Sequence, residues 1–112
     1  LAVPARRSVK TIKPATGVIV EFSVVPLGTG STSMKEWVLE AIKSVKGSGV
    51  RYQVSPMGTA IEAESLERAF EIIKAAHEAV LAKGASRVLT TIRIDERRDK
   101  KETLDERTGM DA

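Results

Sequence analysis

Apolar and polar residues alternate from Val18 to Val25. Val18, Val20, Phe22 and Val24 fall on one face, and Ile19, Glu21, Ser23 and Val25 on the other. A period of two predicts a strand with one strongly apolar face, and Pro26 is expected to end it. The period then lengthens. Met34, Trp37, Val38, Ala41, Ile42 and Val45 recur at helical spacing, and Ser33 with Glu36 three residues later reads as a capping box. Gly47 or Gly49 stops that helix. Val50, Tyr52 and Val54 alternate with Arg51 and Gln53 as a second strand. Pro56-Met57-Gly58 reads as a hairpin turn, and Thr59 to Glu64 as a third strand. A second helix is expected over about Ser65 to Lys83, with Leu66, Phe70, Ile73, His77, Val80 and Leu81 along one stripe and Gly84 as its C-cap. Arg87 to Asp95 forms a fourth strand with Val88, Thr90, Ile92 and Ile94 inward.

The order is β-α-β-β-α-β, the ferredoxin-like split βαβ pattern of the α+β class. Right-handed crossovers then give an antiparallel four-stranded sheet in the order 4-1-3-2, with two helices on one face. That topology brings two glycine-threonine segments, Val24–Ser33 and Ser55–Thr59, to the same edge of the sheet. Both offer small hydroxyl residues and exposed backbone, which makes a mouth for a small ligand. The other sheet face mixes Val25, Ala60, Leu89 and Thr91 with Glu21, Arg51, Glu62 and Arg93. Such a face suits contact with another subunit, where the ions can pair; a solvated face is the plainer alternative.

Composition narrows the choices. A chain of 112 residues is one domain, and no apolar run approaches the ~18 residues of a membrane span. With no cysteine and only His77 as histidine, disulfides, thiol catalysis and a transition-metal centre fall away. The net charge of +3 belongs to one end. Residues 1–17 carry Arg6, Arg7, Lys10 and Lys13 without an acid, while 14 basic residues face 15 acidic ones beyond them. The chain therefore divides into a basic extension (1–17), a ferredoxin-like domain (18–101) and a C-terminal tail (102–112). The extension resembles the end of an organelle transit peptide; a vector-derived or disordered extension describes it equally well. The expected setting is cytoplasmic, or an organelle if the extension is a transit remnant.

The candidate chemistry is thin. The Gly28–Ser33 segment precedes a helix, where free N–H groups favour anions, but it lacks the Gly-Lys-Ser/Thr ending of a nucleotide loop. His77 has no carboxylate partner in view and falls on a buried stripe. Glu21 and Glu62 could meet an amine or a cation, or pair with Arg51 and Arg93. The charged run Glu96–Lys101 reads as a salt-bridge network. RNA modules of this topology need aromatics exposed on central strands, whereas Phe22 and Tyr52 turn toward the helices. No nucleophile–base pair or metal set is visible, so no catalytic residue, metal or cofactor is assigned, and nucleic acid and membrane are not expected partners.

Four segments carry a family resemblance: Val20–Ser31, Ser55–Glu62, Ala75–Leu81 and Arg87–Asp99. In this order they resemble the small thiamine-binding proteins related to YkoF, across roughly Val18 to Lys101. The resemblance implies a ferredoxin-like dimer or tetramer that binds thiamine or its hydroxymethylpyrimidine half without a known reaction. It turns the glycine-threonine segments into ligand loops. Thr29, Ser31, Thr32 and Thr59 then offer polar groups, Trp37 a flat aromatic and Met57 an adaptable wall; taken alone, Gly28–Ser33 reads equally as a glycine turn with a helix cap, Trp37 as core packing and Met57 as a subunit contact. A regulatory domain for another small metabolite, or a structural oligomer without ligand, are the alternatives.

Overall fold

The structure is a computed structural model that describes residues 17–100 and 103–108. Its elements are β1 (Val18–Leu27), α1 (Lys35–Gly47), β2 (Arg51–Ser55), β3 (Gly58–Ala63), α2 (Leu66–Ala82), β4 (Arg87–Glu96) and α3 (Leu104–Thr108). The strands form one antiparallel sheet in the order β2-β3-β1-β4, the expected ferredoxin-like arrangement.

Alternation places the core. Val18, Val20, Phe22 and Val24 of β1, with Ile61 and Ala63 of β3, are buried under the helices. Against them α1 sets Ala41 and Val45. The stripe of α2 is rotated from the expected one: Ala69, Ile72, Ile73, Ala76 and Val80 are buried, while Leu66, Phe70 and Leu81 are 36–46% exposed. The reason is steric. Ala69 and Ala76 face the sheet and let the helix approach closely, so its bulkiest side chains are displaced to the flank. On β4, Val88 and Thr90 are half-buried, but Ile92 and Ile94 remain open beside the free edge of the sheet.

Three local expectations change. Pro26 does not end β1, which pairs with β4 all the way to Leu27↔Arg87. Pairing with β3 stops at Phe22↔Thr59, so from Ser23 onward β1 has an open edge on that side. A residue without N–H is tolerated on such an edge. Secondly, α1 starts one residue later than the capping-box reading, with Met34 at the N-cap and no side-chain cap bond. The Ser33 hydroxyl instead accepts the Lys35 N–H at 3.4 Å. Thirdly, a working box sits elsewhere. In the tail, Thr103 Oγ1 accepts the Glu106 N–H at 3.1 Å, and Glu106 Oε1 accepts the Thr103 N–H at 2.8 Å. That reciprocal pair starts α3, whose Leu104 is 3% exposed against the outer sheet face.

Candidate functional site

The shortness of β3 relative to β1 creates the site. Where β3 gives way to the Pro56–Met57 turn, β1 continues for Ser23–Leu27, and α1 begins above the gap. The result is a cleft of about 110 Å³ floored by Phe22 and Val24, walled by Val38, Ala41, Ile42 and Val45 of α1, and closed by Met34, Val54 and the hairpin from Ser55 to Thr59. The turn must run close to β1. A Cβ on Gly58 would lie 2.9 Å from the Phe22 carbonyl oxygen, a contact no larger residue can make without moving the backbone.

Among the described residues, no ionisable side chain lines this cleft. Its polar groups are few and differ in availability. The Ser55 hydroxyl donates to the Gly58 carbonyl at 3.1 Å and accepts the Met57 N–H at 3.3 Å, so it is spent on the turn. Thr59, 8% exposed, has no hydrogen-bond partner for its hydroxyl among the described residues. On the open edge of β1, the backbone groups facing the β3 side have no strand partner beyond Phe22. An apolar slot with a free hydroxyl and a strip of unpaired backbone suits a flat, hydrogen-bonding heterocycle.

The six residues singled out in the sequence do not converge. Met57 and Thr59 line the cleft. Thr29, Ser31 and Thr32 lie on the adjoining loop, which only its flanking residues Val25 and Met34 bring into the lining. That loop satisfies itself. Ser31 N–H donates to Thr29 Oγ1 at 3.2 Å, and Ser33 N–H to Ser31 Oγ at 3.0 Å. Gly28 and Gly30, at φ 74 and 82, supply the left-handed turns between them. Trp37 packs half-buried against the core rather than into the cleft, and its indole Nε1 is buried without a partner among the described residues. Sequence reading missed the walls Phe22, Val24 and Ala41, because their apolar alternation marks core and not site.

The remaining candidates lie outside the cleft. His77 Nδ1 sits 2.7 Å from Thr90 Oγ1, a link between α2 and β4. On the outer face, Glu21 is 3.5 Å from Arg93. Glu62 accepts the Leu104 N–H at 2.7 Å, and Arg51 pairs with Asp105, so both are engaged by α3. The Arg97 guanidinium forks onto Asp99, one bond at 2.8 Å, and lowers that carboxyl from 3.8 to about 2. No group of acidic or histidine residues able to hold a metal is found among the described residues, and no helix among them is long and apolar enough to cross a membrane.

A family model described as thiamine-binding protein matches residues 20–110. The chain belongs to this family. Among its relatives, a UPF0045 protein of Methanothermobacter thermautotrophicus is 51% identical over 82 residues, covering 73% of this chain and 83% of that one. The crystal structure of a hypothetical protein of Methanocaldococcus jannaschii superposes with a TM-score of 0.75 at 33% identity, over 84% of this chain and 94% of the other. A Thermotoga maritima structure named for thiamine biosynthesis/salvage shares the fold, with a TM-score of 0.72 at 23% identity over 86% and 99% of the two chains. For a thiamine-binding family member, the cleft beside the Ser55–Thr59 hairpin is the feature that has to be explained.

Proposed function

We propose that the chain binds thiamine or its hydroxymethylpyrimidine half in the cleft between α1, β1 and the β2–β3 hairpin, without catalysing a reaction, and does so as a homo-oligomer. One observation carries the reading: an uncharged apolar slot that holds the unengaged hydroxyl of Thr59. A pyrimidine offers two flat apolar faces and a rim of ring nitrogens and an amine. The slot's walls suit the faces, and the Thr59 hydroxyl and the open β1 edge suit the rim. Met57 then covers the ring from the hairpin, while Thr29, Ser31 and Thr32 shape the neighbouring mouth without entering the slot and Trp37 anchors α1 to the core. The absence of any ionisable group from the lining supports binding over acid–base chemistry.

Self-association is supported by β4. It has a free edge and leaves Leu89, Ile92 and Ile94 37–56% exposed. The charges of the outer face are less telling than the sequence suggests, since α3 already engages Arg51 and Glu62.

Calorimetric titration of the intact chain with thiamine, hydroxymethylpyrimidine and thiamine phosphate tests the proposal. Saturable heat with the first two supports it. A folded sample that gives no heat with any of them overturns it, and leaves a different metabolite or a structural oligomer.

A further inference from the structure

The cleft is sized for one ring. At about 110 Å³ it falls well short of the ~300 Å³ or more of sites that enclose a whole drug-sized ligand. It also lacks any charge, and a cation moved into an uncharged apolar slot loses its hydration without compensation. A ligand made of a neutral ring and a linked cationic ring must therefore leave the cationic one outside. The question is where.

A second, shallower cavity of about 40 Å³ opens on the outer face of the sheet. Phe22, Ser23 and Met57 line both spaces, so the two meet where β3 has ended and β1 continues. The second cavity adds Glu21 of β1, together with Thr91 and Arg93 of β4, which lie opposite Ser23 and Glu21 respectively in the β1–β4 register. Glu21 is the acid available there. Its one ion pair among the described residues, to Arg93, is loose at 3.5 Å, and the Arg93 side chain is 81% exposed against 43% for Glu21. The other acid of the outer-face candidates, Glu62, is committed to the backbone of α3.

We propose that Glu21 is a cation subsite: with the neutral ring in the cleft, the positively charged ring crosses the Ser23–Met57 saddle and rests against the Glu21 carboxylate. This rests on the ligand reading above. Glu21 acts here as a specificity residue that separates a cationic two-ring ligand from its neutral half. Met57, 84% exposed at the saddle, gives the linker a polarisable apolar surface. Arg93 works against the ligand, because its charge competes for the same carboxylate.

The test uses the intact chain, calorimetry at mildly alkaline pH, and two probes: thiamine, with its fixed thiazolium charge, and hydroxymethylpyrimidine, which is neutral. Glu21→Gln is expected to weaken thiamine about two- to fivefold, the range of an exposed ion pair, and to leave hydroxymethylpyrimidine unchanged. Arg93→Gln is expected to tighten thiamine alone. Added salt should weaken thiamine and spare the neutral probe. Equal affinity of Glu21→Gln for both probes relative to the native chain overturns the subsite while the cleft reading stands, as does an equal loss for both. If neither probe binds the native chain, the cleft reading falls and the subsite with it.

Discussion

On the proposed reading, Thr59 is the residue where stability and ligand binding separate. Its hydroxyl contributes nothing to the fold, since no partner meets it among the described residues. Replacing it with the near-isosteric valine should leave the thermal midpoint level or raise it, yet weaken ligand binding by roughly 1 kcal/mol if a hydrogen bond is lost. Parallel calorimetry and thermal melts of Thr59→Val decide this, and a fall in both would mark a structural role. Gly58 makes the opposite case. A methyl there meets the Phe22 carbonyl at 2.9 Å, so Gly58→Ala should destabilise by about 1–3 kcal/mol in chemical denaturation and distort the hairpin that closes the cleft. Asp99 gives a pH signature. Its carboxyl is held at about 2, below the ordinary 3.8, first by its hydrogen bond from Arg97. Because the folded value is the lower one, this contribution is present above the ordinary value and is lost as pH falls through about 2. Carbon-detected NMR titration should place the Asp99 midpoint near 2, and Arg97→Gln should return it toward 3.8.

At the level of elements, the switch from a period of two to helical spacing and back identified all four strands, both long helices and their order. Those are the elements whose pattern is dictated by burying one face. What escaped has a physical cause in each instance. The buried stripe of α2 is built on Ala69 and Ala76, and apolar periodicity weights Phe70 and Leu81 more heavily than alanine. The cleft depends on β3 beginning only at Gly58 and pairing with β1 no further than Phe22, while β1 runs to Leu27, a register property that no single segment encodes. α3 was overlooked because it presents one large apolar residue, although the Thr103–Glu106 spacing is a capping-box signal in plain sight. The same spacing at Ser33–Glu36 forms no box, because Ser33 belongs to a run of local hydroxyl turns. The contribution of α3 is measurable. Thr103→Ala should cost about 1 kcal/mol through the lost cap, and Leu104→Ala about 2 kcal/mol or more through its buried side chain. Hydrogen exchange should then quicken along β2 and β3, where Arg51 and Glu62 lose their α3 partners.

For the whole molecule, the self-association proposed above would draw on the exposed apolar surface. α1, α2 and α3 cover the inner face and part of the outer one, but among the described residues nothing covers the edge of β4. Along that edge Ile92 and Ile94 are 37% and 45% exposed, and Phe70 on the flank of α2 is 46% exposed. An unpaired strand edge flanked by apolar side chains is a template for pairing. Antiparallel pairing of two β4 strands about Ile92 sets Ile94 opposite Thr90 and Arg93 opposite Thr91, so no like charges face one another across residues 88–96 and Arg87 meets Arg97 only at the two ends, which favours a closed two-fold assembly. Ile92→Lys puts a charge at the centre of that joint and should shift sedimentation at micromolar concentration from dimer to monomer, with the circular dichroism spectrum unchanged. Leu89→Lys, on the outer face, should leave the dimer intact. The reverse pattern would move the interface to the outer face, where it would cover Glu21, and a native chain that sediments as a monomer would remove self-association from the account altogether.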